Sequence, residues 1–147
     1  MTNLTRTLLA ALPLAMAGGL LSACGSDETA APPDHTPTTY SLIINSVPKE
    51  APYSVQASHQ VVVQIKFFNA AGEDLDAVEA EHFGGLSLNP TDLGTVTRVT
   101  DHHYQFNVIT SATPGSGTLT VSFGHDEAAD EVAFDPAPIS ITGAGQN

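Results

Sequence analysis

Tryptophan is absent, and cysteine occurs once, at Cys24. A single thiol can form neither an internal disulfide nor a cysteine-based zinc cluster, so the fold must be held by burial. With three tyrosines and six phenylalanines, the core has to be aliphatic and phenylalanine-rich. Positive charge is equally scarce. Arg6, Lys49, Lys66 and Arg98 stand against sixteen acidic residues, a formal net charge of −12. Every acid lies after Cys24, where only three basic residues oppose them, leaving −13 for that part. Such a surface repels phosphate backbones and anionic lipid headgroups, which argues against nucleic acid as a partner. No apolar run reaches the ~20 residues of a membrane-spanning helix. The nearest, Thr7 to Leu21, is interrupted by Pro13, Gly18 and Gly19. Catalytic signatures are missing too. There is no G-x-S-x-G, no H-E-x-x-H, no phosphate loop and no dinucleotide fingerprint. Ser, His and Asp occur without any spacing that marks a triad, and the chain reads as a non-enzyme with no resident cofactor.

The first residues follow the three-part pattern of an export signal: a polar start with Arg6, an apolar middle, and small residues before a cleavage point. That pattern ends in Leu21-Ser22-Ala23-Cys24, which resembles the lipobox of bacterial lipoproteins. The resemblance implies a signal peptide over 1–23, a diacylglycerol on the Cys24 sulfur and an acylated (commonly palmitoylated) new amino terminus. The chemistry suits the residues. Small side chains let a peptidase reach the backbone, cysteine supplies a nucleophilic sulfur, and several acyl chains anchor where one would be marginal. Cys24 is followed by Gly25-Ser26-Asp27. With no acid directly after the cysteine, the resemblance implies the outer membrane, facing the periplasm or the surface.

Residues 24–38 form the expected lipidated cysteine and tether. Gly25 to Pro37 reads GSDETAAPPDHTP, with no large apolar residue to bury. The fourteen residues from Gly25 to Thr38 extend to at most about 45–50 Å. His35 within it reads as a solvated linker histidine. From Thr39 the pattern changes to alternation broken at short intervals by turn signals, which predicts an all-β fold over 39–143, roughly 105 residues. Seven strands are expected: 40–45, 60–68, 86–88, 95–100, 104–108, 118–123 and 132–142. Val63, Ile65, Phe106, Val121 and Phe123 should lie in the core. Asp74 to His82 could instead form a helical turn ended by Gly84-Gly85, and Pro114 to Gly117 reads as a turn. Pro136 and Pro138 should make the last strand an edge or break it in two. Residues 144–147 are expected to be a disordered tail. The count and spacing resemble an immunoglobulin-like antiparallel β-sandwich. "VVVQIKFFNAAGEDL" is similar to the second strand and turn of bacterial Ig-like surface domains, and "YQFNVITSATPGSGTLTVSF" to their fifth and sixth strands.

If seven strands alternate in direction, the connections after the second, fourth and sixth share one end. Those are 69–76, 101–103 and 125–131. They hold Glu73, Asp74, Asp76, Asp101, Asp126, Glu127, Asp130 and Glu131, together with His102, His103 and His125. Carboxylates alone suit Ca²⁺, and imidazoles with carboxylates suit Zn²⁺ or Cu²⁺. His102, His103, His125, Asp126 and Glu127 are therefore the expected ligands of a divalent cation. The competing expectation is a solvated acidic face, since loops are polar because they sit in water. His82, after Glu79-Ala80-Glu81, reads as a hydrogen-bonded structural histidine, and His59 as an exposed one. The functional expectation is a lipid-anchored envelope protein whose acidic domain binds another envelope protein or a polysaccharide. The alternative is an envelope metal-binding protein.

Overall fold

The computed structural model describes residues 35–75 and 82–143. The export signal, the Leu21–Cys24 motif, most of the tether, Asp76, the bulk of the possible helical turn at 74–82 and the 144–147 tail lie outside the described residues. The described residues belong to one compact unit that begins at Pro33.

Among the described residues, ten strands build two facing sheets. In chain order they are β1 (Thr39–Ile44), β2 (Val47–Lys49), β3 (Tyr53–Gln56), β4 (Gln60–Phe68), β5 (Phe83–Asn89), β6 (Gly94–Arg98), β7 (Gln105–Thr110), β8 (Gly115–Gly124), β9 (Val132–Ala133) and β10 (Ala137–Thr142). One sheet has the order β2-β1-β4-β7-β6. The other runs β3-β10-β8-β5, with β9 also on β8. All pairings are antiparallel except β3 beside β10. The runs β1-β4-β7-β6 and β5-β8-β10 match the A-B-E-D and C-F-G orders of an immunoglobulin-type sandwich. The extra strands are subdivisions of that plan. β3 continues the first strand across to the second sheet, β9 is the first piece of the last strand, and β2 folds back on β1 as a hairpin.

Period-two alternation decides the core. In β4, Val61, Val63, Ile65 and Phe67 are all buried, and their in-between neighbours face out. Leu119, Val121 and Phe123 answer them from β8. Phe67 spans the gap and packs edge-on against Phe123, ring centroids 5.1 Å apart, and against Tyr104 at 5.2 Å. Val63, Ile65, Phe106, Val121 and Phe123 are buried as their phases predict.

Three local readings are corrected and one is resolved. Residues 46–59, left between the first two expected strands, hold two short strands, β2 and β3. Asn45-Ser46, both at positive φ, close the two-residue hairpin into β2, whose Pro48 is tolerated on a sheet edge. Gly115 and Gly117 are strand residues, not a turn. A Cβ on Gly117 would stand 2.2 Å from the Asn89 carbonyl oxygen, so glycine there serves close approach. Gly84-Gly85 likewise belongs to β5, where Gly84 leaves room for Tyr104, Ile65 and Phe67. The last strand is broken in two between Ala133 and Ala137, one of the two outcomes its prolines predict, and β10 is not an edge, because β3 lies outside it from Ile139 onward.

Candidate functional site: the histidine end of the sandwich

Three connections meet at one end. They leave β4 at Phe68, β6 at Arg98 and β8 at Gly124, as strand parity predicts. Each is shaped by local chemistry. After β4, buried Asn69 closes a turn. Its Oδ1 accepts from the backbone NH groups of Ala71 and Glu73, and Gly72 takes positive φ. That turn brings Asp74 back beside Phe68, where it pairs with Lys66 at 2.6 Å. After β6, Asp101 sits in the left-handed region, and the His102 NH returns to the Val99 carbonyl. After β8, Asp126 caps the Ala128 NH, and Ala129 is packed out of solvent against Gly124.

The chain also enters at this end, since Thr39 pairs with Phe68. Here the tether reading is corrected. Pro37 is buried, the Thr38 NH donates to the Phe68 carbonyl, and His35 is half-buried. The His35 ring stacks parallel to His82 at 6.0 Å. A proline-containing segment has little entropy to lose on docking, so it can lie against the sandwich without contributing a strand.

His82 is the hub. Only 8% exposed, it stacks on Phe123 with ring centroids 5.0 Å apart. Its Nε2 lies 2.8 Å from Nε2 of His125. On the other side of His125, Nδ1–H donates to Glu131 at 2.6 Å, and the His125 backbone NH reaches the same carboxylate at 3.1 Å. The carboxylate therefore fixes the tautomer. With Nδ1 protonated, neutral His125 offers a bare Nε2, and the Nε2–H of His82 donates to it. Burial, followed by the His125 and His35 imidazoles, pushes the pKa of His82 down. The hydrogen bond from the His125 ring, reinforced by its backbone NH, holds the Glu131 carboxyl below its usual value.

The expected metal-ligand residues are distributed differently. His102 is exposed at the tip of its turn. His103 turns inward, stacking on Phe83 at 4.2 Å and donating from Nδ1 to the His82 carbonyl at 2.9 Å. The Asp126 carboxylate serves its own turn, and Glu127 contributes its backbone carbonyl to Arg98. The structure thus brings His103 and His125 to one end without aiming His102, His103, His125, Asp126 and Glu127 at a common point. Among the described residues, no three His, Cys, Asp or Glu side chains surround one metal-sized position.

Two further residues take part in this end. Arg98 spans the end, donating from Nη2 to the carbonyls of Gly84 and Glu127 while its guanidinium lies over Phe83 and Phe106. His82 is buried and hydrogen-bonded, as expected of a structural histidine, and the parity that gathers 101–103 and 125–131 also carries this residue, at the entry to β5, to the same end. His59, at the opposite end, is exposed as expected, with Nδ1 donating to the Ala57 carbonyl. Chemically, Glu131–His125–His82 has the carboxylate–imidazole order of a hydrolytic dyad. Its third member is an imidazole rather than a hydroxyl or thiol. The chain can hold a proton or a cation, but this member supplies no activated nucleophile.

No protein-family model and no curated protein sequence matches the chain. Among solved structures, domains 4 and 5 of the S-layer protein SbsC are similar at 12% identity and a TM-score of 0.45, the match covering 74% of this chain and 52% of that one. The chain therefore spans about half of that structure. At this identity and score the likeness bears on no residue of the site.

Proposed function

We propose that this protein is a non-enzymatic lipoprotein of the bacterial cell envelope that presents an acidic Ig-type sandwich to another envelope component, a protein or a polysaccharide. One observation carries the reading: the only cysteine closes Leu21-Ser22-Ala23-Cys24 behind an apolar segment and ahead of a tether. A thiol otherwise without a partner has a use at that position. The fold is compatible with the role. The described chain enters the sandwich at its histidine end, and the opposite end is built from other segments. That end carries the Asn45-Ser46 hairpin, the Thr91–Leu93 turn and the Ser111–Pro114 connection. The acidic surface repels anionic headgroups.

Detergent-phase partitioning and mass measurement of the mature amino terminus test the reading. Wild-type protein should enter the detergent phase with a diacylglyceryl-modified Cys24 as its first residue. The Cys24→Ser variant should stay in the aqueous phase. An unmodified mature start downstream of Cys24 would overturn the proposal. Cross-linking of the anchored form in intact cells, followed by capture, then identifies the component it meets.

A further inference from the structure

His82 and His125 sit on neighbouring strands of one sheet, the first entering β5 and the second leaving β8. Their Nε2 atoms face each other at 2.8 Å. Divalent transition ions bond imidazole nitrogen at about 2.0–2.1 Å. Two such nitrogens in adjacent positions of a tetragonal or tetrahedral ion stand roughly 2.8–3.4 Å apart. The pair is therefore already at ligand spacing, closest to that of a tetragonal ion. A second, independent feature lies behind it. Glu131 holds Nδ1–H of His125 at 2.6 Å, the outer carboxylate that orients a ligating imidazole and raises its basicity. A third is the asymmetry of the walls. His82 is clamped between the Phe123 and His35 rings, whereas the His125 side chain is 59% exposed and leaves an approach from solvent.

We propose that His82 and His125 are the two protein ligands of one divalent transition-metal ion, Cu²⁺ in preference to Zn²⁺, with Glu131 as the residue that positions His125. The ion replaces the proton shared between the two Nε2 atoms, and His82 changes to its Nδ1–H tautomer. Water fills the remaining coordination positions at the exposed side. Imidazole donors suit copper and zinc and offer Ca²⁺ little, because calcium takes oxygen ligands. The site differs from the ligand set expected from sequence by exchanging His102, His103, Asp126 and Glu127 for His82. It would serve an anchored or a free domain alike and does not rest on the envelope reading.

The test uses the full-length chain without a polyhistidine tag, titrated calorimetrically with CuCl₂, ZnCl₂ and CaCl₂ and followed by melting temperature. One ion per chain is expected, tighter for Cu²⁺ than for Zn²⁺, with no response to Ca²⁺. Copper electron paramagnetic resonance should show coupling to two imidazole nitrogens. His125→Ala, at an exposed side chain, should lose at least about tenfold in affinity together with the copper-induced rise in melting temperature. Glu131→Gln should weaken binding by about 10–100-fold while leaving the metal-free spectrum unchanged. His102→Ala should bind as wild type. Binding unaffected by His125→Ala, binding abolished by His102→Ala, copper spectra without imidazole coupling, or no response to Cu²⁺ at millimolar concentration would each overturn the proposal.

Discussion

At the residue scale, single atoms decide two features that composition hides. Thr110 is buried, and its hydroxyl donates to the Gln56 carbonyl at 2.6 Å while receiving the His59 NH at 3.0 Å. It thereby ties β7 to the segment that crosses from β3 to β4. Valine has the same shape but no hydroxyl, so Thr110→Val would leave the Gln56 carbonyl and the His59 NH without that partner. A loss of about 1–3 kcal/mol is expected by urea unfolding, against near zero for exposed Thr97→Val. An equal effect of the two would refute the role. Gly117 is the second case. Its missing Cβ makes room for the Asn89 carbonyl, so Gly117→Ala must push backbone against backbone. A cost of about 1–3 kcal/mol is expected, the reverse of what alanine does for an ordinary strand residue. The Lys66–Asp74 pair makes a useful contrast. It is short, but a third or more of each side chain is exposed, so solvent and salt screen most of its attraction.

At the scale of elements, the histidine end behaves as a latch between the residue entering β5 and the connection after β8. Its pH dependence has a definite sign. The folded-state pKa of His82 lies below its ordinary value of 6.5, so the unfolded chain takes up the proton first. Stability is therefore full above about pH 6.5 and falls as pH drops through the window beneath it. Glu131 adds a term of the same sign at lower pH. Its carboxyl is held below the usual 4.5, so that contribution is present above 4.5 and is lost as pH falls further. With a chelator present, the melting temperature should decline between pH 6.5 and 5, and His82→Gln should flatten the decline. Equal slopes in the two proteins would show that the latch does not titrate in this range. Hydrogen exchange should locate the early opening at 125–131.

For the molecule as a whole, charge and hydrophobic burial oppose each other. Sixteen acids against four basic residues give a net charge of −12, with many of the acids gathered on the connections at one end. Self-repulsion of this kind is screened over about 10 Å at 0.1 M salt. Raising sodium chloride from about 0.02 to 0.3 M should therefore raise the melting temperature by a few degrees. A fall would mean that ion pairs such as Lys66–Asp74 outweigh the repulsion. What salt must reinforce is a core of aliphatic residues, phenylalanines and the buried Tyr53 and Tyr104, drawn largely from the inward phases of β4, β7 and β8.

Local pattern and tertiary proximity divided the decisions between them. Alternation along 60–68 and 118–123 set the strands and their buried faces, because side-chain direction in a strand is a property of consecutive residues. Strand parity also gathered the loops correctly, because antiparallel connections leave each end in turn. The sequence could not show that residues 53–56 run parallel to β10, whose partner residues lie 86 positions further along. Nor could it show that Gly117 is a strand residue, since the reason is an Asn89 carbonyl twenty-eight positions away. The same limit applied to the site. The crowding of acids and histidines on three connections was legible. Which imidazole met which carboxylate was decided only when β5 and β8 paired and set His82 against His125 and Glu131. A hydrogen bond depends on tenths of an ångström between distant residues, whereas periodicity depends only on neighbours.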